Sequence, residues 1–214
     1  MKRFLGITIS VLGIASASPA KLIIGLQAPL SSRSFSADNL KQNEQWVGIY
    51  GTIEYNFLTL YRTITSPEGR EMVVPVSDTP IFGLELSAGR NMSTGGKDTR
   101  YDTLITEYKN SGTIISLILK YYFPVSKETK THFYAGCGPQ VAMLSREDKT
   151  GNTYEKTGDV TNIYFTAPVG LDYNINQAVR LNTFFTLQYG VSSTTAISAT
   201  TLNYSIGAGI KRCF

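Results

Sequence analysis

The sequence predicts an all-β chain: a transmembrane up-and-down antiparallel β-barrel of eight strands, with ten strands as the alternative. Three observations carry this. Apolar residues recur at every second position in segment after segment, the period of a strand with two unlike faces. Short turns alternate with long polar stretches along the chain, as in barrels with one short-looped and one long-looped end. Past the first 20 residues no window holds 18 apolar residues in a row, so a chain that crosses a membrane must do so as a closed barrel.

Taken in order, Met1-Lys2-Arg3 is a basic start, residues 4–14 are apolar, and Ala15-Ser16-Ala17 and Ser18-Pro19-Ala20 are small-residue cleavage sites. Residues 1–20 therefore read as a cleaved signal peptide and 21–214 as the barrel. Residues 22–27 and 46–57 read as the first two strands, joined by a polar loop over 31–45. Between Thr59 and Asp78 there is more chain than a turn needs, including an apparent hairpin, and this is where a ten-strand count would arise. A strand follows over 81–89, with Phe82, Leu84 and Leu86 opposite Glu85 and Ser87. Residues 90–111 read as a long polar segment. Residues 113–123 place Ile115, Leu117, Leu119, Tyr121 and Phe123 on one face, and Ser116, Lys120 and Tyr122 on the other.

A short turn over 124–130 leads to a strand over 132–144, whose apolar side carries Phe133, Ala135, Cys137, Val141 and Met143. Residues 145–159 read as a polar loop. Residues 163–173 alternate cleanly, and the turn Asn174-Ile175-Asn176-Gln177 joins them to a strand over 179–189. A Ser/Thr-rich link precedes the last strand, 201–214, with Leu202, Tyr204, Ile206, Ala208 and Ile210 opposite Asn203, Ser205, Gly207, Gly209 and Lys211.

Periodicity alone does not separate inside from outside. Phe123, Phe133, Tyr173 and Phe214 break the tie: all lie on the apolar face at the short-turn end, as one aromatic girdle would. The apolar face is thus expected outward, and Glu85, Lys120, Asp172, Arg180 and Lys211 form a charge cluster in the lumen. A three-residue loop after Asn174 would pair Tyr173 with Val179 and Asp172 with Arg180. Inward Tyr134, Tyr164 and Phe184 add bulk to an interior that eight strands leave barely wide enough for side chains.

Composition excludes several functions. The formal charge is +4 over 214 residues, and a leader removed with Lys2 and Arg3 leaves a chain close to neutral, so the charge makes no case for nucleic acid. Cys137 and Cys213 are two cysteines without a CxxC or a Cys/His cluster and read as free thiols; neither a metal nor another cofactor is expected. The single histidine, His132, starts a strand at the short-turn end with no nucleophile to pair with. Glu147 and Asp148 read as solvated loop carboxylates, and Thr94-Gly95-Gly96 as a loop, not a phosphate cradle. No catalytic residue is assigned.

The final strand, ending on Phe214, resembles the closing strand of bacterial outer-membrane barrels. There a terminal aromatic and a glycine five places earlier, here Gly209, belong to the assembly signal; Arg212 departs from the apolar residue usual two places before the end. The block SLILKYYFPVSKETKTHFYAGCGPQVAML (116–144) and GLDYNINQAVRLNTFFTLQYG (170–190) resemble small barrels of the OmpX and PorT types. The chain also resembles the barrel of OmpA-like proteins, with no room for their periplasmic domain. The resemblance implies an outer-membrane location in a double-membrane bacterium and contact with lipid, lipopolysaccharide and the barrel-assembly machinery. It further implies a structural or interaction barrel whose loops serve adhesion or envelope contacts, with a host or envelope ligand. A porin-like channel for small solutes is the alternative, and a lipid A or phospholipid-modifying enzyme ranks last, since barrel enzymes resemble one another in a histidine near the outer rim.

Overall fold

The computed structural model describes residues 21–37, 40–57, 61–65, 71–75, 81–101, 103–123, 130–193 and 202–214; the expected signal peptide and most of the 124–130 turn lie outside them. Ten strands follow in order: β1 (Lys21–Ala37), β2 (Leu40–Phe57), β3 (Tyr61–Thr65), β4 (Glu71–Pro75), β5 (Phe82–Arg100), β6 (Thr103–Tyr122), β7 (Thr131–Thr150), β8 (Thr153–Asn174), β9 (Val179–Ser193) and β10 (Leu202–Cys213). Eight of them close a ring in the order β1-β10-β9-β8-β7-β6-β5-β2, every neighbour antiparallel. The remaining two, β3 and β4, pair only with each other. Within the extra chain between Thr59 and Asp78, residues 61–65 and 71–75 thus form a separate antiparallel pair outside the ring, and the barrel has eight strands.

The ring closes where β1 meets β10, from Ile23 opposite Cys213 to Ser34 opposite Leu202. Phe214 takes part: its amide donates to the carbonyl of Leu22 at 2.9 Å. The alternation read from the sequence sorts the side chains as expected. Leu26, Ile49, Leu86, Leu117, Phe165 and Ile206 stand exposed on the outer wall, while Thr52, Asn91, Gln140, Thr166, Gln188 and Ser205 are buried inside. Around the short-turn end the rings of Tyr55, Phe57, Phe82, Tyr121 and Phe123 follow one another at centroid distances of 6.3, 6.3, 5.5 and 5.2 Å. This continues the girdle that Phe123, Phe133, Tyr173 and Phe214 mark, all four exposed.

The structure corrects the sequence reading at the other end. The segments 31–45, 90–111 and 145–159 are not loops but the upper halves of strands. β5 to β8 run for 19, 20, 20 and 22 residues, about twice the 9–11 residues that cross a bilayer. Pairing of Ala37 with Leu40, Arg100 with Thr103 and Thr150 with Thr153 leaves two residues at each tip. Gly151 (φ 65°) and Tyr101 (φ 48°) supply the left-handed conformation that such tight turns use. These stretches looked like loops because no lipid touches them, so both faces are polar and the apolar alternation vanishes while the hydrogen-bond ladder continues. Glu147, Asp148 and Gly95 accordingly lie within strands, Gly95 (φ 143°) at a bulge between Met92 and Gly96.

The turn after β8 is also corrected. Five residues, 175–179, and not three separate the last paired positions of β8 and β9, and Asn176 Oδ1 accepts from the amides of Ala178 (2.9 Å) and Val179 (2.8 Å). The register therefore pairs Asn174 with Arg180 and Asp172 with Asn182. A shift of two keeps every side chain on its expected face.

A ring with no free edge resists detergent. The protein should therefore migrate in SDS as a compact species until boiled and shift afterwards. Equal mobility of boiled and unboiled, correctly assembled protein would contradict the closed ring.

The plugged lumen as candidate functional site

Four layers fill the interior between the short-turn end and the hairpin tips. The lowest is ionic. Lys120 Nζ lies 3.2 Å from Glu54 and 2.5 Å from Glu85; Lys211 Nζ lies 3.0 Å from Glu54, 3.3 Å from Glu85 and 3.7 Å from Asp172. Arg180 Nη1 stands 4.0 Å from Asp172, diagonally across the register. Glu54 and Asp172 are 0% exposed and both lysines 1%. Three carboxylates thus meet three cations, and neutral polar groups saturate the rest. Tyr122 OH donates to Glu54; Asn182 Nδ2 donates to Asp172 Oδ1 at 2.6 Å and lies 3.1 Å from Tyr134 OH. Lys120 Nζ also lies 4.5 Å from the centre of the Tyr134 ring.

All five residues that the sequence assigns to the lumen, Glu85, Lys120, Asp172, Arg180 and Lys211, meet in this layer. The sixth, Glu54, touches both lysines and was missed. Its signal was available: Thr52, Glu54 and Asn56 share the polar face of β2 opposite Ile53, Tyr55 and Phe57, and the five assigned charges do not sum to zero. Gly209 faces inward in the closing strand, where an added Cβ would lie 2.5 Å from the carbonyl oxygen of Leu26. His132 is buried beside the ionic layer, opposite Asp172, with Nε2 2.8 Å from Asn174 Nδ2. Among the described residues no group of three or more His, Cys, Asp and Glu is placed to hold a metal ion. Cys137 and Cys213 form no disulfide with each other.

Above the ions lies a polar layer around a cavity of about 50 Å³, lined by Gln27, Ser87, Ser116, Thr166, Phe184 and Gln188 among others. That space suits a water molecule or two and no solute. An apolar layer of Trp46, Ile114, Ala142, Leu144 and Tyr164, with Tyr50 packed against it, lies above the cavity. The top layer is again charged. Asn110 Nδ2 donates to Glu44 at 2.8 Å, and Arg146 bridges Asp98 (2.9 Å) and Asp148 (2.7 Å) over the Tyr108 ring. Glu44 lies above the apolar band, where its outward neighbours are Asn43 and Gln45; burial raises its carboxyl above the usual range against the opposing pull of Arg33.

The ionic layer makes a measurable demand on stability. Replacing Glu54 with Gln leaves two buried ammonium groups short of a carboxylate, and breaking such a buried network costs ~3–5 kcal/mol. The urea midpoint of the barrel in lipid vesicles should fall accordingly. Glu107→Gln, which breaks an exposed 2.6 Å pair with Lys149, should leave the midpoint unchanged. Equal midpoints for Glu54→Gln and the unaltered protein would show that the ionic layer does not hold the fold.

No protein-family model and no curated protein matches the chain. Solved structures do. The chain is similar to the crystal structure of Neisserial surface protein A, with a TM-score of 0.56 and 13% identity over 90% of this chain and 97% of that one. It is also similar to the outer membrane protein OprG from Pseudomonas aeruginosa, with a TM-score of 0.51 and 13% identity over 91% and 96% of the two chains. At such identity the likeness is one of fold. The chain thus has the fold of the small eight-stranded outer-membrane β-barrels.

Proposed function

We propose that this protein is an outer-membrane barrel whose lumen is a structural plug and whose working surface is the set of tall hairpins at the far end. The observation that carries the reading is the filled interior: the void of about 50 Å³ lies between a neutral ionic layer and an apolar one. Chain invested in strand beyond the bilayer supports an interaction role, in adhesion or envelope contact. Exposed Lys97 and Arg100 on the β5 hairpin suit the phosphates of lipopolysaccharide or an acidic envelope or host ligand. Kinship with the OmpX and PorT types stays part of this proposal and rests on residues 116–144 and 170–190. No enzymatic role is proposed, and His132 serves the hydrogen bonding of the short-turn end. Residues 1–20 would direct export and be cleaved from the barrel.

Planar bilayers test the plug. The purified barrel should give no steady conductance steps at moderate voltage, and reproducible single-channel steps would replace the plug with the small-solute channel. Gly209 and Phe214 are proposed as the assembly signal. Deleting Phe214 removes one backbone bond at the seam, so the variant should refold in detergent nearly as well as the parent yet reach the cell surface poorly. Normal surface levels of that variant would sink the assignment.

A further inference from the structure

Arg212 fits neither the plug nor the hairpins. It occupies the place two residues before the end where an apolar side chain is expected, and its side chain points outward, away from the ionic layer behind it. Its guanidinium lies 5.1 Å from the centre of the Phe214 ring, and no carboxylate pairs with it among the described residues. A cation in that position sits at the level of the aromatic girdle, where the headgroups of the lipid leaflet at the short-turn end lie.

From Arg212 a groove of about 610 Å³ runs up the outer wall across β10, β1, β2 and β5. Its walls are Ile24, Leu26, Ile53, Leu86 and Ile210; its floor is low because Gly51 and Ala88, opposite each other in register, present almost no side chain. A Cβ added at Gly51 would meet nothing nearer than the Ala88 carbonyl oxygen at 3.9 Å, so the space is open and not filled by a neighbour. Three interstrand steps make it about 14 Å wide along the wall. A hydrocarbon trough that starts at an exposed cation has the shape and the charge of one kind of ligand.

We infer that this groove is a binding site for an anionic phospholipid of the leaflet at the short-turn end. Its phosphate meets Arg212, and one acyl chain lies against Gly51 and Ala88. The stacking of Phe214 on the guanidinium holds the cation over the mouth of the groove and removes rotamer freedom before the lipid arrives. The site covers the β1–β10 seam, so the lipid bridges the strands that close the ring. The inference rests on the membrane reading of the barrel.

The test uses nanodiscs of phosphatidylcholine that hold the full barrel and a small fraction of photoreactive phosphatidylglycerol, with the reactive group on an acyl chain. A parallel set carries photoreactive phosphatidylcholine. After illumination, adducts are mapped by peptide mass spectrometry. Phosphatidylglycerol should label β1, β2 and β10 in preference to the wall of β6 to β8. It should exceed phosphatidylcholine there by about fivefold, the worth of one basic residue near an anionic group. Arg212→Gln should bring the two probes to parity at the groove, and Gly51→Leu, which fills open space, should scatter both probes around the wall. Both variants keep the lumen intact and must show the same heat-dependent shift as the parent before labelling. Even labelling around the barrel, or equal capture of the two probes by the unaltered protein, overturns the site. Failure of the barrel to enter nanodiscs at all would instead remove the membrane reading beneath it.

Discussion

Inside a hydrocarbon layer a backbone amide has no water to bond, and each unsatisfied group costs several kcal/mol, about the worth of a large core side chain. Everything else in this protein depends on meeting that constraint by closure. The pairing of β1 with β10 over twelve residues turns two edges into one more ladder. Because the ring must close on strands of fixed alternation, every side chain is assigned to lipid or lumen with no third choice. The outer wall is then apolar by necessity, and the lumen inherits whatever polar residues lie at the positions between.

That inheritance explains why six charges share the bottom of the lumen. Each faces inward from its own strand, and eight strands are too narrow to hydrate them individually. They are tolerated because three carboxylates balance three cations, with Tyr122, Asn182 and Tyr134 taking the remaining bonds. The same charges oppose misregistry. A one-residue slip of β6 or β10 would turn Lys120 or Lys211 outward and leave buried carboxylates without their partners, at about 3–5 kcal/mol. The ionic layer therefore closes the pore and holds the register in one act.

Most of this was legible before any coordinates. The inward positions of Glu85, Lys120, Asp172, Arg180 and Lys211 follow from parity, and parity survives an error in turn length as long as the error is even, as it was after Asn174. The missed Glu54 lay in a strand already recognised, and only the charge balance of the finished cluster would have singled it out. The upper strands were not legible. Along 90–111 and 145–159 the outward residues face water and the inward ones face polar neighbours, so composition cannot distinguish them from loop, and only cross-strand hydrogen bonds can.

By itself, then, the sequence determined the alternation, the number of barrel strands favoured, the lipid-facing wall and the sign of the faces, because hydrocarbon imposes period two on any strand that touches it. The tertiary structure alone decided how far the strands continue past the bilayer and which charges meet. It alone showed that Arg212 opens onto a groove floored by Gly51 and Ala88. These depend on register between strands distant in the chain, and register is a property of the closed ring that no single segment carries.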